Sequence, residues 1–464
     1  MKSRQALEAL WQASGGPAQA LERVSLMGDQ PFLPSSFKVD VAAQASIAAA
    51  TLAASEIWRL RSGERCGVSI DRRHATAEFR SEHYLLVDGK PAADLWDRIA
   101  GAYPCKDGWV RLHSNFPHHR DGLLALLDCA YERDAVAEAL KHWEAEAFET
   151  AAAARGLCVS ALRAPAAWDA HPQGQAVAGL PVLEIAQIGD APPEPLPVVE
   201  AARARPLSGL RVLDLTRIIA GPVAGRCLAA HGAEVLRISG PHLPFILPAV
   251  IDTGRGKRAA ALDLRDDAGQ AGLRALLQEA DVFLQAYRPG GLEALGFGEA
   301  AVAAAQPGIV YATLSAYGHL GPWQGRRGFD SLVQTATGFN QAEAASFGES
   351  GPRALPCQAL DHSSGYLLAF GILRALARRA EEGGSWRVRV ALAATGQWLR
   401  GLGPRKDSAA AALDPADVED FLETAASPFG KVRALSHAGQ IEGQAPYWAD
   451  PVVPLGSHPP RWRR

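Results

Sequence analysis

The chain has 464 residues, 48% of them hydrophobic and 21% charged, with a formal net charge of −3. That length suits two or three domains and a large core. A near-neutral charge without a basic stripe or a basic–aromatic repeat argues against a nucleic-acid partner. The six cysteines (Cys66, Cys105, Cys129, Cys158, Cys227 and Cys357) are scattered, with no CxxC pair and no zinc-ligand spacing. Such usage fits reduced thiols in a cytoplasmic protein better than a disulfide framework. The N-terminus lacks a signal-type apolar core, and no uncharged run is long enough to span a bilayer, so a soluble protein with no membrane contact is expected.

Residues 1–40 read as a helical segment ending in a break at Pro31, Pro34, Ser35 and Ser36. An Ala-rich apolar helix follows over 41–60, then the turn RSGER and the alternating strand GVSIDR. GAYPCKDGWVRLHSN has the pattern of two strands around a turn at Asp107 and Gly108. Helices are predicted at 121–129, 133–141 and 145–155, and the region 41–190 is grouped as a smaller α+β domain. His113, His118 and His119 match no zinc pattern and have no acidic or Cys ligand close by, so they read as surface or interface residues.

The Pro-rich stretch 191–209 is the clearest linker. Beyond it the texture changes to alternating strands and helices: RVLDLT, the helix around RCLAAHG, AEVLRIS, ALDL, a helix near 270–279, DVFLQAY and IVYATLSAYG. Strand–helix–strand alternation predicts a parallel α/β sheet over 210–402, with ligands at the carboxyl ends of its strands. The tail 403–464 is Ala-, Pro- and Gly-rich, with one helical stretch at 415–425, and is expected to pack on the large domain.

The turn Ala220-Gly221-Pro222-Val223-Ala224-Gly225 lacks GxGxxG, and its second strand ends in Ser239 where a ribose-binding acid belongs. A dinucleotide site is therefore disfavoured. DTGRGKR at 252–258 is no Walker loop either; it reads equally as a solvated turn or as a basic loop that meets a phosphate-bearing ligand.

Asp361 opens the apolar helix pattern in LPCQALDHSSGYLLAFGILRAL. Asp is a favoured helix cap. A carboxylate at a helix start beside small residues also has the setting of a nucleophile, and spacing alone leaves both readings open. The helix-plus-strand that follows, 368–395, echoes ATLAASEIWRLRSGERCGVSIDRRHAT from the N-terminal region, a signal of internal duplication.

Taken together, PLSGLRVLDLTRIIAGP, HGAEVLRIS, DTGRGKRAAALDLR, ADVFLQAYRPGGLEALGFG, PGIVYATLSAYGHLGPW, GFDSLVQTATGF and ALDHSSGYLLAFGILRAL resemble, in order, the N-terminal half of the class III CoA-transferases. That group includes the formyl-CoA and carnitine CoA-transferases and the α-methylacyl-CoA racemases. The region from about 42 to 188 resembles the family's other half, so the order is altered and the chain reads as a fusion of two truncated copies. The resemblance implies an α/β fold with a Rossmann-like parallel-sheet large domain and a smaller α+β domain, and a homodimer of interlocked subunits. It implies acyl-CoA and a carboxylic acid as substrates, with no permanently bound cofactor and no metal.

It places Asp361 on the catalytic aspartate, which attacks the thioester to give an acyl-aspartyl anhydride and then an aspartyl-CoA thioester. It further implies CoA contacts at Ile219, Ala220, Leu262, Arg265, Ala286, Tyr287, Arg288, Arg327, Phe329 and Asp330. Backbone N–H groups at the start of the Asp361 helix are expected to hold the developing oxyanion. Phe329 stands where the racemases carry a catalytic His, which argues against racemisation, since Phe carries no proton. The family's glycine run over the active site has no counterpart, so a catalytically silent CoA-binding homologue is the alternative to a transferase.

Overall fold

The structure is a computed structural model that describes residues 1–198, 204–405 and 408–463. Its centre is a seven-stranded sheet in the order Lys257–Ala261, Glu234–Ser239, Arg211–Leu215, Val282–Gln285, Val310–Ser315, Ser385–Ala391, Glu184–Gly189. The first six strands are parallel and the last is antiparallel. In chain order the parallel strands run 3-2-1-4-5-6, the doubly wound arrangement with its switch point between Arg211–Leu215 and Val282–Gln285. Both faces are covered, so the strands are mostly apolar, with buried exceptions such as the Asp214–Lys257 pair, and successive residues enter opposite cores. Val212, Val235, Val282, Leu284, Val310 and Ala312 face the core that holds helix Ala359–Glu382. Leu213, Leu236, Phe283 and Tyr311 face the core closed by Leu273, Leu276, Leu277 and Trp462. Each such side chain contributes about 1.5–3 kcal/mol of burial.

Helix Ala359–Glu382 is buried along nearly its whole length. One side meets helix Ala220–Ala230 and the sheet; another meets the Ala-rich helix Val39–Ser62. Small residues permit this crowding. A Cβ on Gly365 would stand 2.6 Å from the carbonyl oxygen of Ala220, and one on Gly371 would stand 2.5 Å from Val388. The echo is visible in three dimensions: Val39–Ser62, Val68–Asp71 and Arg72–Glu78 repeat the order of Ala359–Glu382, Ser385–Ala391 and Leu392–Gly401. Gly63 and Gly383, both with positive φ, end the two long helices.

A smaller unit has its own core, built on Tyr103, Val110, Leu112, Leu123, Val136 and Phe148. The expected hairpin pairs Gly101–Pro104 with Trp109–Leu112, and Cys105 N–H donates across its turn to Gly108 O at 2.8 Å. Helices Pro117–Leu127, Arg133–Leu140 and Ala145–Ala154 cover it.

The domain boundaries differ from those expected. Residues 1–40 are not a separate segment, because Val24–Met27 pairs parallel with Val68–Asp71. The region 41–190 overruns its end, since Glu184–Gly189 is an edge strand of the large sheet. Of the linker 191–209, residues 199–203 lie outside the described part. Its start is docked on the end of the Asp361 helix, where Gly384 N–H donates to Ala191 O at 2.8 Å. The tail does more than pack on the large domain. Pro415–Phe421 is a 3-10 helix rather than the start of a longer helix, and Leu422–Ser427 is a strand. Leu422–Ser427 and Gly430–Leu435 build a four-stranded sheet with Leu86–Val87 and Lys90–Pro91, while Gly439–Ile441 pairs with Val68–Asp71.

Candidate active site

Asp361 lies in the first turn of helix Ala359–Glu382, but it does not cap it. Gln358 is the N-cap residue and makes no side-chain cap bond. The capping is done from outside by Asp330, whose Oδ2 accepts the N–H groups of Leu360 at 2.7 Å and Asp361 at 2.9 Å. Gln334 holds Asp330 in turn: its Nε2 donates to Asp330 Oδ1, and its Oε1 accepts the N–H of Leu355. A carboxylate at a helix start satisfies free donors and meets the positive end of the dipole. With Asp330 in that role, the Asp361 carboxylate is left without a hydrogen bond among the described residues, 7% exposed and lining a cavity. Burial first, then the charges of Asp330 and Glu82, push its pKa well above the ordinary carboxylate range. Asp330 is raised to about 6, chiefly by burial, against the pull of its donors.

The same arrangement removes the expected oxyanion donors. The N–H groups of Leu360 and Asp361 are committed to Asp330, and that of His362 donates to Gln358 O. The start of helix Ala220–Ala230, which lines the same cavity at Ala220 and Gly221, offers first-turn N–H groups with no side-chain cap.

The cavity encloses about 320 Å³ and sits at the switch point, between the carboxyl ends of Arg211–Leu215 and Val282–Gln285. Arg217, Arg288, Arg326 and Arg327 line it, with Asp361 as the lone acid among its lining residues. Arg326 leans toward Glu149 at 3.4 Å. Arg217, Arg288 and Arg327 have no carboxylate partner among the described residues. Guanidinium groups at such a crevice suit phosphate oxygens through paired N–H donors. Ile218, at the loop between strand and helix, holds φ at 74°. A β-branched residue in the left-handed region is strained, and here the strain lies in the wall of the cavity.

Of the residues singled out from sequence, Ile219, Ala220, Ala286, Tyr287, Arg288, Arg327 and Phe329 are brought together with Asp361 in this wall. Asp330 is not a wall residue; it stands behind Asp361 as described. Leu262 does not line the cavity, being packed against the second core below Gly272. Arg265 lies outside as well, its largely exposed side chain paired with Asp263 at 2.6 Å. Asp263 also meets His242, the neighbour of the lining residue Leu243, so two residues stand between Arg265 and the rim. The basic run at 252–258 does not face a ligand. Lys257 Nζ is buried 2.7 Å from Asp214, Arg258 lies 3.0 Å from Glu234, and Arg255 lies 3.1 Å from Asp252.

The histidines are a further correction. His118 is exposed, but His113 and His119 are buried. His113 stacks on Phe329 with ring centroids 3.7 Å apart, while Phe116, His118 and His119 form the cavity wall contributed by the smaller unit. Arg217 and Arg326 were missed too. Arg217 directly follows the strand RVLDLT and so sits at the carboxyl edge where ligands of such sheets bind, a signal available in the sequence. Phe116 carried none, because a distant part of the chain delivers it.

Residues 207–403 match the sequence profile described as CoA-transferase family III. An acyl-CoA transferase of Gibberella moniliformis is 30% identical over 420 residues, covering 81% of this chain and 73% of that protein. A protein of Mycobacterium tuberculosis named as a fatty acyl-CoA transferase is 35% identical over 202 residues, covering 41% of this chain and 51% of its own. This chain thus spans about three quarters of the first relative and half of the second. A solved structure of a CaiB/BaiF family protein from Brucella suis is 24% identical, covers 49% of this chain and 65% of its own, and has a TM-score of 0.36.

Proposed function

The chain belongs to CoA-transferase family III, and from that premise we propose that it transfers CoA between an acyl-CoA and a carboxylic acid through a covalent intermediate on Asp361. The observation that carries this reading is a carboxylate with no hydrogen bond among the described residues, buried at a helix start, in the wall of an arginine-lined cavity at the sheet's switch point. Arg217, Arg288 and Arg327 hold the phosphates of the CoA moiety, and the thioester reaches Asp361.

In the first step an Asp361 carboxylate oxygen forms a bond to the thioester carbonyl carbon. The C–S bond breaks with its electron pair going to sulfur, which leaves a mixed anhydride and CoA thiolate. The thiolate then attacks the aspartyl carbonyl and expels the donor acid as its carboxylate, giving an aspartyl-CoA thioester. Attack by the acceptor carboxylate expels CoA thiolate again, and the thiolate's return to the acceptor's acyl carbon regenerates Asp361. Every leaving group is an anion, so no proton has to be delivered. A buried carboxylate bearing no hydrogen bond is poorly solvated and correspondingly nucleophilic. The developing oxyanion meets the N–H groups of Ala220 and Gly221 rather than those of the Asp361 helix.

The homodimer implied by the family resemblance, a cytoplasmic location and the identity of the two acids belong to this proposal. Among the described residues no helix is long and apolar enough to cross a membrane. The test is incubation with acyl-CoA followed by hydroxylamine or borohydride trapping and mass spectrometry. An adduct on the peptide carrying Asp361, absent in Asp361→Ala, supports the transferase. CoA binding with neither adduct nor exchange would leave only a silent CoA-binding homologue.

A further inference from the structure

Helix Ala220–Ala230 carries a second cluster at the end away from the cavity. Cys227 and His231 are four residues apart at its C-terminal end, a spacing that puts both side chains on one face. His437, in the connection between strands Gly430–Leu435 and Gly439–Ile441, comes against them. The Cys227 Sγ and one ring nitrogen of each histidine all lie within 4.8 Å of one another, and all three residues are buried.

Their hydrogen bonding is incomplete. Both ring nitrogens of His231, and Nε2 of His437, have no partner among the described residues. A buried polar atom left in this state is costly, and a ligand that binds there removes the cost. The Nδ1 of His437 stands 3.1 Å from the carbonyl of Gly439. The N–H of Gly439 also donates to this Nδ1, at 3.1 Å, which places the ring hydrogen on Nε2; a metal on Nε2 calls for the other tautomer, with Nδ1–H given to the Gly439 carbonyl. Gly439 is itself confined, since a Cβ there would fall 1.9 Å from Thr51 Oγ1. Of the nearby cations, Arg205 lies close enough to bear on His231 and donates to the carbonyls of Ala229, Ala230 and Tyr447, while two others are paired. Arg226 and Arg255 are matched by Glu78 and Asp252. The Oε2 of Glu78 is also without a partner, and its Oε1 accepts the hydroxyl of Tyr366, whose ring lies 6.1 Å from His437.

We propose that Cys227, His231 and His437 form a structural site for one Zn²⁺, which fastens the C-terminal segment to the sheet-covering helix. One thiolate and two imidazoles are a zinc donor set, with Glu78 or a water molecule for the fourth position. Zn–S and Zn–N bonds of about 2.3 and 2.0 Å ask the three donors to close by roughly 1 Å, within reach of side-chain rotation. On binding, the Cys227 S–H proton is released to solvent and a Zn–S bond takes its place.

The full-length protein is stripped with chelator, reconstituted with Zn²⁺, dialysed and assayed by elemental analysis; a second sample is loaded with Co²⁺ and read optically. The site predicts about one zinc per chain that survives dialysis, lost in Cys227→Ser and in His437→Gln. It also predicts a near-ultraviolet thiolate-to-Co²⁺ charge-transfer band in the wild type that is missing in Cys227→Ser. Folded wild-type protein that retains no zinc, or metal content indifferent to both substitutions, overturns it. Should the variants fail to fold, the wild-type stoichiometry and the Co²⁺ band decide alone. None of these readouts depends on transferase activity.

Discussion

Asp330→Asn tests the relation between the two carboxylates. The Asp361 amide is 2.9 Å from Asp330 Oδ2, which puts the two carboxylates on the order of 5 Å apart. Two like charges at that distance repel by about 3 kcal/mol at an effective dielectric of ~20. Water in the open cavity reduces this to roughly 1–2 kcal/mol, equivalent to about one pH unit. Asp361 reacts as the anion, so activity falls as pH drops through its raised pKa. Removing the negative charge of Asp330 eases ionisation of Asp361, and the acid limb of kcat/KM should move down by about one unit. The asparagine oxygen still accepts the N–H groups at the helix start, while its amide loses the hydrogen bond from Gln334 Nε2, a cost of about 1 kcal/mol that stability measurements separate from the shift of the limb. The pair takes up protons together, and the profile reads its macroscopic limb. The assay is CoA exchange measured from about pH 5 to 9. A uniform loss of rate with an unmoved limb would mean that Asp330 merely supports the helix. A limb displaced upward would refute the electrostatic reasoning outright.

Arg288→Ala and Arg327→Ala should each raise KM for the acyl-CoA about tenfold with little change in kcat, the loss of one charged hydrogen bond at about 1.5 kcal/mol; steady-state kinetics checks this. Gly365→Ala forces a methyl group against the Ala220 carbonyl and Val223, and should lower stability by about 1–3 kcal/mol in urea unfolding. Lys257→Met leaves the fully buried Asp214 without its cation and should cost about 3–5 kcal/mol. Adding Asp214→Asn should recover part of that loss, because the orphaned charge goes with it.

The doubly wound sheet was legible because strands such as RVLDLT, DVFLQ and IVYATL are short, apolar-rich runs alternating with helical segments, and buried parallel strands have that pattern. Asp361, Arg288 and Arg327 are singled out by the resemblance to the family's motifs rather than by periodicity, although Arg288 does follow the strand Val282–Gln285 and Asp361 does open a helix. LETAAS was not legible as a strand. Its side chains are largely exposed, and its partner GKVRAL, itself paired with Leu86–Val87, is what makes it one, so no local periodicity marks it. The basic run at 252–258 misled for a related reason. Arg255, Lys257 and Arg258 look like solvent-facing charge until Asp252, Asp214 and Glu234 are seen beside them. Asp330 escaped its true role because a cap on another helix has no sequence spacing to betray it.

The strands contributed by residues 422–441 fill places beside segments from the first hundred residues. A nascent chain leaving the ribosome cannot complete either of those small sheets until residues 422–441 have emerged. Until then Val68–Asp71 and Leu86–Val87 each present an unpaired edge, which invites association with neighbouring chains. Loss of the last forty or so residues would leave that exposure permanent, far from any reacting atom, and such a truncated chain should be recovered as aggregate rather than as a weakened enzyme.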